Sequence, residues 1–429
     1  MTLSWLAITR LGLVQMALGS IVVLTTSTLN RLMVVELALP AVLPGLLIAL
    51  HYGIQLTRPN WGFLSDTGGH RTRWIIGGML ALALGAIGAT IGVLLYETSF
   101  AAATTVSIVA YALIGIGVGA SGTSLLALLA SATAPHRRAA AATITWLMMI
   151  AGIAVTAGMV GVYLDPYSPA LLLRIVFIVT GAAVLLTVLA VWGIEKTVEV
   201  QRQRPEKIRF AEGLREIWAE TAARNFTIFV FLSMTAYFMQ ELILEPYAGL
   251  VFDFTPGQST SLSGAQNGGV FLGMLTVGIA ATGLGKGSLR SWVVAGCMGS
   301  AGSLALISLL GGFSEPSHLM PAVVSLGFFN GMFAVAAIGS MMKLAAQGRA
   351  GREGTRMGLW GAAQAVAAGF GGLSGAAAVD LMRLLTHGDS AAFGAVFLFE
   401  AVLFVIAALM ALRVIEHSHG RHAAIVPGE

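Results

Sequence analysis

Of 429 residues, 57% are hydrophobic and only 10% are charged, against about 25% charged in soluble domains, so the chain reads as a polytopic membrane protein. Its net charge of +4 does not point to nucleic acid, because the basic residues flank apolar segments and no run of them interleaves with aromatics. A single cysteine, Cys297, excludes a disulfide framework or a cysteine metal site within one chain.

About 20 apolar residues cross a bilayer as a helix. Twelve such spans follow one another, at roughly 11–37, 40–57, 74–96, 100–131, 139–162, 170–193, 225–247, 265–284, 290–311, 319–345, 356–379 and 391–413. Each is continuously apolar rather than alternating with period two, so helices and not a barrel must satisfy the backbone. No cleavable leader is expected, since the N-terminus lacks a basic leader and a small-residue cleavage site. With both termini in the cytoplasm, all 24 Lys and Arg residues except Arg31, Arg174 and Arg383 fall on that side, which predicts N-in and C-in.

Taken in chain order, the first unusual segment ends span 1: Leu29-Asn30-Arg31, then Glu36. Span 2 carries His51. The loop after it reads Gly62-Phe63-Leu64-Ser65-Asp66-Thr67-Gly68-Gly69-His70-Arg71-Thr72-Arg73. Between spans 6 and 7 the composition turns charged, and Ile208, Leu214, Ile217 and Trp218 could form the apolar face of an interfacial helix; the bland alternative is a tether. Span 7 ends in Gln240-Glu241 and Glu245-Pro246-Tyr247, and Glu400 stands halfway along span 12. This divides the chain into a six-helix half (1–193), a cytoplasmic linker (194–224), a second six-helix half (225–414) and a cytoplasmic tail (415–429).

The halves repeat each other. Span 4 has Gly115-Ile116-Gly117-Val118-Gly119 before His136-Arg137-Arg138, and span 10 has Gly327-Phe328-Phe329-Asn330-Gly331 before Lys343, Arg349 and Arg352. Trp146 and Trp360 open spans 5 and 11, 214 residues apart, and Arg31 and Glu241 lie 210 apart. Two parallel six-helix halves resemble the major facilitator superfamily, with binding sites between the halves. The loop after span 2 is similar to that superfamily's cytoplasmic signature, with Thr67 where an arginine is usual. Gly62, Asp66 and Gly69 stand at positions of that signature, and by the resemblance Asp66 would cap a neighbouring helix and Arg71 or Arg73 would clamp a carboxylate. On turn chemistry alone, the segment is a tight Gly-Gly turn with inside-positive charge.

Within that superfamily, the segments 28–37 and 240–249 resemble the PucC/LhaA family, the bacteriochlorophyll-delivery branch found in phototrophic bacteria. In that family an aspartate commonly stands where this chain has Glu241, and a glycine where it has Ala248. The resemblance implies a multi-pass protein of the intracytoplasmic photosynthetic membrane. It would hand bacteriochlorophyll, or a late precursor, to light-harvesting or reaction-centre polypeptides, with pigment-synthesis enzymes as further partners.

On physical grounds, charges inside a membrane usually face a partner or a cavity. Arg31 is expected to pair with Glu241 or Glu245 across the halves, with Glu36 beside them, as a gate; Glu36 and Glu245 in headgroup water are the alternative. Ligand-binding candidates are Asn30, His51, Gln240 and Tyr247, with His51 a possible ligand for a pigment's magnesium or simply a polar group satisfied between helices. Glu400 would meet a partner helix or face lipid as the neutral acid. No phosphate loop or His-Glu-x-x-His motif occurs, and His417, His419 and His422 have no partners that fix a metal, so neither catalysis nor a protein-bound metal is expected. A secondary transporter of a small amphiphile or ion, and a non-transporting scaffold for antenna assembly, are the other readings. The sequence sets no oligomeric state.

Overall fold

The computed structural model describes all residues except 1–2, 59–60, 62–69, 135–137, 197–214, 216–217, 285, 314–315, 347–352, 387 and 416–429. Among those described, twelve long helices follow the predicted spans: α1 (Trp5–Glu36), then α2 (Val42–Ile54), α3 (Arg71–Leu95), α4 (Phe100–Ala132), α5 (Arg138–Tyr163) and α6 (Pro169–Val191). After the linker come α7 (Thr221–Phe252), α8 (Pro256–Val277), α9 (Leu289–Leu310), α10 (Pro316–Ala346), α11 (Glu353–Leu385) and α12 (Asp389–Val414). Ten of them are long and apolar enough to cross a membrane, α2 being shorter and α8 more polar. An even number of passes leaves both chain ends on one face, here the terminal face; the opposite one is the far face.

Two hydrophobic cores divide the helices six and six. One is built from α1 to α6 and takes in Leu242 of α7; the other is built from α7 to α12 and takes in Ile150 of α5. Between them, α5 packs on α8, α2 on α11 and α1 on α7. Glycines permit the first contact: a Cβ on Gly161 would lie 2.5 Å from the Ser261 nitrogen, and one on Gly264 would lie 2.6 Å from the Gly158 nitrogen. Small residues at such crossings let helix backbones approach closely.

Two helices begin well before their expected bounds. α1 begins at Trp5 rather than near 11, where Ser4 accepts the Ala7 N–H at 3.2 Å as a cap. α8 begins at Pro256 rather than near 265, in a capping box where Thr255 and Gln258 bond each other's backbone. Its first turns are rich in hydroxyls, which hides them from a hydropathy reading, yet Ser259, Thr260 and Ser263 are buried: α1 offers partners to Thr260 and Ser263, and Ser259 donates to the Thr255 and Pro256 carbonyls of its own helix start.

α1 itself is irregular. Wider π-type turns at Leu24–Thr28 and Leu32–Glu36 flank Leu29–Arg31, and such turns leave carbonyls open to outside donors. The Tyr111 hydroxyl of α4 takes the Thr25 carbonyl at 2.9 Å. Thr25 to Arg31 are all buried, so this polar stretch is held by the protein.

Candidate functional site

The α1–α7 seam carries the polar residues expected of a gate, but wired differently. Arg31 is 2% exposed, and its guanidinium pairs with Glu36 of its own helix and donates to the Phe254 carbonyl, beyond α7, at 2.7 Å. Gly249 makes room for it: a Cβ there would lie 3.2 Å from the Arg31 Nη2. The expected Arg31–Glu241 pair is not formed. Arg31 lies level with Gly249, and eight residues of α7 at 1.5 Å each put Glu241 about 12 Å away along the helix. Glu245 is nearer: it is buried beside the hydroxyls of Ser27 and Ser263 and feels the Arg31 charge. Glu36 is 42% exposed at the seam's end.

Asn30 has a structural task. Pro246 lacks an N–H, so the Leu242 carbonyl four residues earlier loses its intrahelical donor; the Asn30 amide nitrogen crosses from α1 and supplies one at 2.7 Å. Ser27 bonds Ser263 at 3.1 Å and Thr28 bonds Thr260 at 3.2 Å, joining α1 to α8. Tyr247 is likewise engaged: its hydroxyl donates to the Ile307 carbonyl at 2.7 Å, and its ring sits 5.0 Å from Phe397 and 5.6 Å from Phe393. Asn30 and Tyr247 are thus tied into the scaffold.

Nearer the terminal face the character changes. Tyr52 of α2 meets Phe238 of α7 with ring centres 5.9 Å apart, and Phe238 meets Tyr237 at 5.1 Å. The Glu241 carboxyl lies within electrostatic reach of both tyrosines. All four residues are only half-buried although they stand where the halves meet, so space remains between the halves on the terminal side of the seam. Beside them His51, 2% exposed, bonds Gln55 at 2.9 Å through Nε2 and packs edge-on against Tyr52 at 4.8 Å. Gln55 also receives the Arg58 guanidinium on its amide oxygen, so its NH2 group faces His51; Nε2 is then the acceptor and Nδ1 carries the proton, with no partner. Gln240 is buried in α7 with its amide oxygen unpartnered. Of the expected ligand residues, His51 borders this space, and Tyr52, Tyr237, Phe238 and Arg58 were not anticipated. Their signal was faint: aromatics one turn before Glu241 and next to His51.

Glu400 faces neither lipid nor a visible partner. It is fully buried in the stripe Phe393, Phe397, Phe404 that points into the second core, and both its oxygens lack hydrogen bonds. Of the loop signature, Gly62, Asp66 and Gly69 lie outside the described residues. Arg71 opens α3, its N–H donating to Glu195 at 2.8 Å and its guanidinium to the Ala127 carbonyl at 2.7 Å; Thr72 adds a hydroxyl bond to Glu195 at 2.7 Å. Glu195, after α6, therefore caps this helix. Arg73 is exposed. Among the described residues no group of three His, Cys, Asp or Glu side chains is placed to hold a metal.

A sequence model described as PUCC protein matches residues 28–419. The chain belongs to the PucC family. It is 65% identical over 428 residues to the "Bacteriochlorophyll synthase 44.5 kDa chain" of Rhodobacter capsulatus, covering 100% of this chain and 99% of that one. It is 29% identical to "Protein PucC" of Cereibacter sphaeroides, over 91% of this chain and 88% of that one. Among solved structures, the nucleoside transporter NupG superposes with a TM-score of 0.69 at 16% identity, covering 96% of this chain and 99% of that one. A peptide transporter POT superposes with a TM-score of 0.71 at 15% identity, over 95% and 94%. This PucC-family chain therefore has the major facilitator fold of those transporters.

Proposed function

We propose that this PucC-family protein binds bacteriochlorophyll, or a late precursor, between its halves and delivers it to light-harvesting or reaction-centre polypeptides in the photosynthetic membrane. The observation that carries the reading is the half-open aromatic space of Tyr52, Tyr237 and Phe238 with one carboxylate, Glu241. Flat ring faces with few polar groups suit a large apolar ligand, and the relative named for bacteriochlorophyll synthase supports a pigment. The pigment here is cargo. Its macrocycle would rest on the three aromatic rings. His51 has Nε2 engaged and a protonated Nδ1, so it does not present a lone pair to the magnesium; it would instead donate a hydrogen bond from Nδ1.

The role is one of carriage, despite the word synthase in the relative's name. The groups around the space provide stacking surface and a carboxylate, which suit holding a flat ligand. With N-in and C-in orientation in the inner membrane, the terminal face is cytoplasmic and the far face periplasmic. A second reading, alternating-access transport of a small amphiphile, draws on the fold shared with NupG and POT and on Glu241 near mid-depth.

The test is purification from a phototrophic host in mild detergent, with absorption spectra of the wild type, Tyr52→Ala and Glu241→Gln against a protein-free fraction. Near-stoichiometric pigment on the wild type, lost in Tyr52→Ala, is the expected result. Colourless protein that retains antenna polypeptides would make it a scaffold, and colourless protein with neither would favour the transporter.

A further inference from the structure

Each half sends one aspartate to the first turn of a helix in the other half, and both do so on the far face. Asp165, just after α5, accepts the Gly257 N–H at 3.2 Å and the Thr255 hydroxyl at the start of α8. Asp380, in the last turns of α11, accepts the Ala41 N–H at 3.1 Å and the Val42 N–H at 2.8 Å at the start of α2. These first-turn N–H groups have no acceptor within their own helix, and the positive end of the helix dipole favours a carboxylate there.

The two clamps are copies of one another. Asp380 lies 215 residues after Asp165, and Gly257 lies 215 after Val42, one more than the 214 separating Trp146 from Trp360. Donor and acceptor sharing one offset in both directions identifies a contact duplicated with the halves. Position gives it meaning: the clamps sit on the two flanking contacts, α5 with α8 and α2 with α11, and between them lies the central bond from Arg31 to Phe254. A shallow cavity of about 550 Å³, lined by Glu36, Asp165, Tyr167 and Thr255 among others, opens on the far face above this line. The aromatic space lies on the other side of it.

We propose that Asp165 and Asp380 work as one two-fold-related latch that holds the far face shut, so that the aromatic space exchanges its ligand from the terminal side only. The identity of that ligand rests on the function proposed above; the latch does not. A rocking motion that opened the far face would separate α5 from α8 and α2 from α11 together, breaking both clamps. With one released, the other still ties the halves, so the two act together rather than additively.

Spin labels at Tyr163 and Leu384, exposed at the far ends of α5 and α11, in full-length protein with Cys297→Ala, report the separation of the halves by pulsed electron resonance. The wild type, Asp165→Ala and Asp380→Ala are expected to give one short-distance population, and the double variant, with no acceptor left at either clamp, a longer one as the majority. A double variant with the wild-type distribution would reduce the aspartates to local caps, and a single variant that opened as far as the double would refute the joint latch. If the double variant does not yield monodisperse protein, Asp165→Asn with Asp380→Asn, which takes one acceptor oxygen from each clamp, is expected to give a smaller shift in the same direction, and no shift would refute the latch. Pigment absorption on the same samples separates the two proposals. Colourless protein that opens only in the double variant upholds the latch and refutes the cargo, while pigmented protein with unchanged distances does the reverse.

Discussion

The seam between the halves has two regions built on opposite principles. On the far side, nearly every polar group of α1 has a specific partner: Asn30 on Leu242, Ser27 on Ser263, Thr28 on Thr260 and Arg31 on Phe254. On the terminal side, Tyr52, Tyr237, Phe238 and Glu241 are half-buried and meet mainly through ring faces. Directional bonds fix one geometry, whereas ring faces accept any flat apolar partner of suitable size. The first region is suited to closing, the second to holding.

The largest expected effect breaks the closing region. Arg31→Ala frees the part-buried Phe254 carbonyl and the exposed Glu36, and above all takes the counter-charge from the buried Glu245; leaving a buried charge uncompensated costs about 3–5 kcal/mol. Thermal unfolding in detergent measures it. A double-mutant cycle sharpens the assignment: Arg31→Ala and Glu241→Ala should be additive within about 0.5 kcal/mol, because the groups do not touch, whereas Arg31→Ala and Glu36→Ala should couple. Coupling between Arg31 and Glu241 instead would mean that the protein populates a different closed state.

Asn30→Ala comes next, at about 1–3 kcal/mol for an unsatisfied buried carbonyl. Its cause is checkable, because Pro246→Ala restores the N–H that Leu242 lacks. In that background Asn30→Ala should cost much less, and an equal cost in both would show that Asn30 acts elsewhere.

How much of this was legible in the sequence follows the same division. Twelve apolar spans, their pairing by repeat and the interest of residues 28–37 and 240–249 are written in composition and spacing, because lipid tolerates little else. The far-side wiring was not. Arg31 and Glu241 have complementary charges, but charge does not reveal depth along a helix, and the nearer acceptor was a loop carbonyl, which no sequence position advertises. The hydroxyl-rich start of α8 fell outside the expected span because two of its hydroxyls, Thr260 and Ser263, are compensated by α1, more than 200 residues earlier. Asp165 and Asp380 could have been found, since both stand near helix ends at the repeat offset. The aromatic space left the weakest trace, as Tyr52 and Phe238 look like ordinary apolar filling until α2 and α7 are brought together.

Glu400 tests whether the second core has polar requirements of its own. With both carboxyl oxygens unpartnered in a stripe of phenylalanines, Glu400→Met should stabilise the protein by about 1–3 kcal/mol, the usual cost of a buried unsatisfied polar group. Destabilisation of that size would reveal a partner that Glu400 meets in some other state of the protein.

The smallest effect on stability belongs to the holding region, and that contrast is its diagnostic. Glu241→Gln keeps the side chain's shape, removes a charge from a half-open space and breaks no hydrogen bond, so its unfolding midpoint should stay close to that of the wild type, within about 0.5 kcal/mol. Ligand retention should respond even so, because a charge beside two phenols sets the polarity of the whole space and is poorly screened there. A residue chosen for closing loses stability and function together; one chosen for holding loses function alone. If Glu241→Gln fell with Arg31→Ala in the unfolding assay, the two regions would be one, and Glu241 would belong to the seal after all.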